Sequence, residues 1–284
     1  MSHEARPAAR SAYFKSMGFE RHYRNMQLMH EDDIVMPSIG GAGSSLLGNI
    51  VLELGLHYVD LTKETLLPDG SSRPPTDSIT RRIRARPFLQ ASRSLAAPRF
   101  MKTHLPAGEF ENHAIGGVWM LVRDPRDALY SWYQYHRGFA QLPWERVPDT
   151  FEEFLVKPFF IGVPPVAAWT AFYSDWSERG RRCQHFTILR FEDLKRDAVA
   201  TMRDALKPLR LTYPAPELER AAGRSTFTTM RRHEDSVADD NARVMRSGAV
   251  DGWRSWMTPE LERFFADPEL TASARRFGYE LNSR

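Results

Sequence analysis

The segment GVWMLVRDPRDALYSWYQYH, Gly117–His136, contains two kinds of regular structure and the point where one becomes the other. Val118 to Val122 is an apolar run of the length that suits a buried strand. Arg123 ends it, Asp124 stands at a helix N-cap position, and Pro125 takes the first helical position, where its missing N–H costs no hydrogen bond. Ala128, Leu129, Trp132 and Tyr133 then recur at helical spacing as one buried face. A strand that feeds straight into a helix leaves N–H groups exposed at the helix start, and Arg123 and Ser131 lie nearby. Such a junction can hold an anion.

Upstream, Ile34-Val35-Met36 reads as a short strand, followed by the glycine-rich run Pro37–Ser45 and by Leu46, Leu47, Ile50, Val51 and Leu54 at helix spacing, with Gly55 as a stop. Strand, glycine-rich loop and helix form the context in which a loop can cradle phosphate with its N–H groups. The Walker ending Gly-Lys-Ser/Thr is missing, so a plain turn without a ligand stays a competing reading. His57–Asp60 is a weak strand. Arg99–Pro106 is a stronger one, and Lys102 and His104, two apart on it, are expected on one face at its C-terminal end. In a parallel sheet ligands bind at that end. Taken alone, such a pair is more often a solvated edge than a site; its position is what raises it.

Downstream, Thr150–Val156 and Val166–Trp176 are helical in pattern. Trp169, Phe172, Tyr173 and Trp176 suit a core, or the wall of an acceptor pocket together with Trp132, Tyr133 and Tyr135. Phe186–Phe191 is another strand, Asp193 is expected to cap the helix after it, and Val199, Met202, Leu206 and Leu209 are that helix's buried stripe. Residues 225–256 are charged and glycine-punctuated, and a last helix is expected from Pro259 with Leu261, Phe264 and Phe265 inward. Alternating strands and helices predict a single α/β domain with a central parallel sheet flanked by helices, and a P-loop-like phosphate-binding loop after the first strand. Residues 1–31 read as an N-terminal arm and 32–284 as the domain. Within it, residues 68–98 are an arginine-rich irregular excursion containing a helix, either an acceptor-site lid or a solvated basic face.

Composition narrows the classes. The 284 residues carry 39 basic and 36 acidic side chains, a formal charge of +3. That suits an anionic ligand and is too weak to argue for nucleic acid. Cys183 is the sole cysteine, so no internal disulfide forms and a reducing compartment is the expectation. The N-terminal residues, with Arg6, Arg10, Lys15, Arg21 and Arg24, do not resemble a signal peptide. No apolar run approaches the ~18–20 residues of a membrane span. The expectation is a soluble, cytoplasmic protein.

Four separated segments, between about residues 34 and 265, resemble the PAPS-dependent sulfotransferases, which move a sulfonate from 3′-phosphoadenosine 5′-phosphosulfate to an acceptor and release PAP. RDPRDALYSWY is similar to the family's R-N-P-K-D-x-x-x-S-Y-Y, whose arginine and serine hold the cofactor's 3′-phosphate; the resemblance assigns that role to Arg123 and Ser131. KTHLP resembles the catalytic strand, with His104 at the position of the general base and Lys102 at that of a charge-stabilising lysine. ILRFEDLKRD resembles L-x-Y-E-D-L-K-x-D, so Phe191 takes the place of an aromatic near the adenine. STFTTM resembles a stretch bordering the adenine, which implies Ser225 and Phe227. VMRSGAVDGWRSWMT resembles F-x-R-K-G-x-x-G-D-W-K-x-x-F-T, which puts Arg246, Ser247 and Gly248 on a phosphate-contacting triplet.

The resemblance implies in-line sulfonate transfer without a metal to a hydroxyl of a small-molecule acceptor. The family's first loop, P-K-S-G-T-T-W, aligns with Gly41, Ala42, Gly43, Ser44, Ser45 and Leu46 from its lysine onward. Gly41 therefore replaces the lysine at the leaving 5′-phosphate and Leu46 the tryptophan. Either Lys102 or an arginine of 81–93 supplies the missing cation, or the protein binds the cofactor but is catalytically degenerate. A P-loop nucleotide kinase is a further alternative, opposed by the absent Walker ending. Pro259 and Arg263 stand where the family's dimer motif has valine and glutamate, so a monomer or a different oligomer is expected.

Overall fold

In the computed structural model, which describes residues 19–73, 98–138, 147–159, 162–237 and 246–281, apolar segments pair into one parallel sheet. Helix α1 (Glu20–Met26) precedes β1 (Ile34–Pro37), α2 (Ser44–Glu53) and β2 (Tyr58–Asp60). A small antiparallel hairpin, β3 (Thr65–Leu66) and β4 (Ser72–Arg73), follows. Then come β5 (Phe100–Thr103), a 3-10 turn at Ala107–Phe110, β6 (Gly117–Val122), α3 (Pro125–Gly138), α4 (Phe151–Val156), α5 (Pro165–Arg181) and β7 (His185–Arg190). The rest is helical: α6 (Phe191–Arg196), α7 (Ala198–Leu206), α8 (Ala215–Arg224), α9 (Phe227–Val237), a 3-10 turn at Gly252–Ser255, α10 (Pro259–Phe265) and α11 (Pro268–Arg275).

The sheet order is β2-β5-β1-β6-β7, every pair parallel. β1 sits in the middle, so the loop after it opens between β5 and β6. All residues of β1, β5 and β6 are buried, as expected of strands covered on both faces. Two apolar clusters form the covers. One gathers Val35, Met101 and Met120 with α3, α4, α5 and α11; the other gathers Ile34, Phe100 and Trp119 with α2, α7 and α8. Alternate residues of one strand thus serve opposite layers.

The strand-to-helix junction forms as the residues predict. Asp124 Oδ1 accepts from Arg126 N at 2.9 Å, which caps α3, and Ala128, Leu129, Trp132 and Tyr133 are buried. Trp169, Phe172, Tyr173 and Trp176 are core. Tyr173 donates to Leu121 O at 2.9 Å and Trp176 Nε1 to Leu105 O at 3.0 Å, so this helix also tethers the segment after β5.

Two expectations change. Asp193 lies inside the first turn of α6; the cap of α7 is Asp197, which accepts from Ala200 N. The helix from Pro259 is not the last, since α10 is followed by α11, capped by Asp267. The charged 225–256 segment is regular only in part, through α9 and the turn at Gly252–Ser255. Within the stretch read as an arm, α1 buries His22, Asn25 and Met26. Asn25 bonds the carbonyls of Leu61 and Glu64 and the N–H of Leu66, which ties the helix to the β2–β3 connection. Of the 68–98 excursion, residues 74–97 and the helix expected there lie outside the described residues.

Burial holds three histidines neutral: His22 and His104 are lowered from 6.5 to about 3, and His136 to about 4. Their folded values lie below the unfolded value, so the unfolded chain binds more protons. The stability they contribute is complete above pH 6.5 and falls as pH drops toward the folded values. Asp127 acts oppositely: burial raises it from 3.8 to about 6, so its contribution is present at low pH and lost as pH rises through 6. Three groups outweigh one, and Tm measured calorimetrically is expected to fall between pH 7 and pH 5. A Tm that rises over that window would contradict this balance.

Candidate functional site

The C-terminal ends of β1, β5 and β6 converge on the glycine-rich loop. Gly41 has φ +80° and Gly43 φ +94°, both left-handed. A Cβ at Gly41 would overlap the Ala128 carbonyl oxygen and lie 2.8 Å from Trp132 N; one at Gly43 would overlap the Phe191 ring. The loop is therefore pressed against the start of α3 on one side and α6 on the other. No side chain caps α2, so its first N–H groups are left for a ligand or solvent.

Arg123 fastens three segments. Its buried guanidinium donates to Gly41 O at 2.8 Å and to Ala249 O at 2.9 Å. It lies 4.3 Å above the Phe191 ring centre and 3.7 Å from Asp127 Oδ2. Burial lowers its pKa, with Asp127 opposing. Asp127 Oδ1 also accepts from Trp253 N at 2.7 Å, which anchors the segment carrying Ala249. From that segment Arg246 reaches Ser131, donating to its Oγ at 2.8 Å and its carbonyl at 2.9 Å. Burial and then the charge of Arg123 lower the Arg246 pKa. Two guanidinium groups within reach of each other's field, beside a hydroxyl and a helix start, have the chemistry that a multiply charged anion would suit.

The second part of the site lies at the end of β5. Strand β5 stops at Thr103, so His104 sits just past it rather than on it. His104 Nδ1 meets Ser38 O at 2.6 Å. A carbonyl only accepts, so Nδ1 carries the proton and Nε2 keeps its lone pair. Burial, then the charge of Lys102, brings its pKa to about 3. The ring is neutral and oriented. Lys102 Nζ is held at 2.9 Å by Asp60 Oδ2, both side chains being buried. Lys102 thus reaches toward β2, and its charge acts on His104, which stands just past the strand end.

The other predicted residues divide. Phe227 packs against Gly248, where a Cβ would lie 2.6 Å from its ring, and Gly248 needs its φ of +57°. Ser247 is exposed; Ser44 and Ser45 are half-buried in the first turn of α2. Leu46 does not face the loop: it is core, and its N–H donates to Gly43 O. Ala42 is also buried, its N–H donating to Ile39 O. Ser225 is fully buried, donating to Ala221 O and accepting from Asn49 Nδ2, so it joins α8 to α2. The arginines of 81–93 lie outside the described residues.

Residues not singled out in the sequence also build the site. Asp127 was legible as the acid four positions after Arg123. Glu192 accepts from Asp124 N at 3.0 Å and from Tyr279 O–H at 2.6 Å, which docks the C-terminal segment on the α3 start. Asp60 is opposite Lys102 only because β2 pairs with β5 in that register; no local pattern announces it. Among the described residues, no group of three or more His, Cys, Asp or Glu side chains is arranged to hold a metal, and no helix is long and apolar enough to cross a membrane.

Comparison with known proteins bears on this arrangement. The chain is 25% identical over 172 residues to sulfotransferase 2A6 of Rattus norvegicus, covering 57% of this chain and 59% of that protein's length. It is 24% identical over 230 residues to sulfotransferase 6B1 of Pan troglodytes, covering 79% and 70%. The crystal structure of mouse sulfotransferase SULT7A1 complexed with PAP matches with a TM-score of 0.65 at 19% identity, over 92% of this chain and 91% of that one. Retinol dehydratase in complex with androsterone and PAP matches at 0.57 and 16% identity, over 92% and 84%. These likenesses show a shared fold. The sulfotransferase domain model matches residues 31–268, most of the length, and the chain belongs to that family.

Proposed function

We propose that this protein binds PAPS and transfers its sulfonate to a hydroxyl group of a small-molecule acceptor. The observation that carries the reading is the convergence of Arg123, Ser131 and Arg246 beside an uncapped helix start, since a dianionic 3′-phosphate suits two guanidinium groups and a hydroxyl. Phe191 lies beneath Arg123, and Phe227 packs against Gly248, two positions from Arg246; these residues would border the adenine. When bound, PAPS supplies the sulfonate and keeps the electron pair of the breaking S–O bond, leaving as PAP.

The chain's own residues then do the following. His104 Nε2 takes the acceptor's hydroxyl proton while Nδ1–H holds the ring on Ser38 O. Lys102 offers positive charge at the strand end, and the N–H groups of the loop and of the α2 start face the 5′ side. No metal enters this scheme. A second reading, cofactor binding without turnover, is favoured by Gly41. Its left-handed backbone and the Ala128 carbonyl exclude a side chain where a lysine would stabilise the leaving phosphate. The loss of one such stabiliser costs roughly 10²–10³ in rate.

Calorimetry is expected to give PAP binding near 1 μM, about 8 kcal/mol, weakened roughly 10–100-fold by Arg246→Ala. Wild-type protein that binds no PAP sinks the reading. Turnover with PAPS should persist in EDTA and vanish in His104→Ala; wild type that binds PAP without turnover selects the second reading. With His104 lowered to about 3, it stays a free base over the working range. The kcat/KM profile should therefore show no acidic limb near 6.5 between pH 5 and 8. Gly41→Lys is expected to lower Tm, since a left-handed non-glycine residue costs ~1–2 kcal/mol before the overlap is counted, and not to raise kcat. A faster variant would mean that the loop accepts a cation after all.

A further inference from the structure

Lys102 is bound in a way that the sulfonate-transfer reading does not by itself require. Its ammonium is almost fully buried against a carboxylate that is completely buried. Asp60 and Lys102 stand opposite each other in the β2–β5 register, so the sheet itself presents the carboxylate. The other oxygen of Asp60 is fixed by Thr62, whose N–H donates at 3.2 Å and whose hydroxyl donates at 2.5 Å. A buried ammonium without a counter-charge tends to lose its proton, and a buried pair broken from one side is strongly destabilised. With Gly41 in the loop, this ammonium is the cation whose field acts most strongly on His104, ahead of that of Lys63.

We infer that Asp60 is a positioning residue for the transfer reaction, a buried carboxylate that keeps Lys102 charged and aimed beside His104. The charged and titratable groups around the Asp60–Lys102 pair are His22 from α1, His104 past the end of β5, and Lys63 in the turn after β2, whose field reaches His104. Lys102 and Asp60 act on both histidines with opposite signs. Removing the carboxylate would leave the field of Lys102 and Lys63 uncompensated in a region that already holds both rings neutral. Asp60 touches no reacting atom; it acts through Lys102. The catalytic consequence rests on the reading proposed above, whereas the charge state of Lys102 can be measured without it.

The test is Asp60→Asn, which keeps the size and an acceptor for Thr62 but removes the charge. Lysine side-chain NMR on ligand-free protein is expected to show the Lys102 titration midpoint at least one pH unit lower than in wild type. The alkaline limb of kcat should move down by a similar amount, with PAP affinity within about 2-fold of wild type and with recovery in Asp60→Glu. Thr62→Val, which loosens Asp60 and leaves the pair intact, should shift both readouts in the same direction by less. It also decides the matter if Asp60→Asn does not fold. An unchanged Lys102 midpoint overturns the inference, as does a kcat loss that is the same factor at every pH. Wild type that fails to bind PAP overturns the proposed function instead, and the NMR comparison still judges the clamp.

Discussion

The buried guanidinium of Arg123 bonds together segments that lie far apart in the chain. It spans the carbonyl of Gly41 in the loop after β1 and that of Ala249 in the segment before the Gly252–Ser255 turn, with Phe191 of α6 beneath it. A charge in that position needs partners on every side, because an ionised group taken out of water is costly unless it is bonded. Its partners come from three parts of the chain. The same demand for partners that makes the arginine stable also closes the loop onto α3 and brings Arg246 to Ser131.

Asp127 and Asp124 share this work, and their difference is informative. Asp124 is satisfied by Arg126, which donates from Nε and Nη2, stacks on Trp253 and reaches toward the carbonyls of Glu280 and Leu281. Asp127 has a long contact to Arg123 and a backbone donor from Trp253, and burial raises its pKa to about 6. The first is a closed structural pair. The second is poised on the edge of protonation beside the candidate anion site, where another negative charge would make its ionised form still less favourable.

The chemical end of the site follows from different constraints. His104 is oriented by a carbonyl from β1's loop and Lys102 by a carboxylate from β2, so the two flanking neighbours of β5 each set one group on it. The loop's glycines are held by contact: Gly41 and Gly43 are in the left-handed region, with a backbone carbonyl and an aromatic ring against them.

The local order of the chain was determined by its sequence. The apolar run to Val122, the Asp124-Pro125 start and the 3.6-residue recurrence through Tyr133 specify strand, cap and helix from interactions a few residues long. The resemblance in RDPRDALYSWY and KTHLP rested on such local text too, which is why Arg123, Ser131, Lys102 and His104 were legible. Other features depended on contacts between distant residues. That Leu46 and Ser225 belong to the interior, that Asp197 rather than Asp193 caps α7, and that α1 is seated against β2 and β5 were decided by burial and pairing. The pairing of Asp60 with Lys102, 42 positions apart, was decided by sheet register. A register is a property of two strands lying side by side, and neither strand's own residues state which partner or which offset the packed sheet will choose.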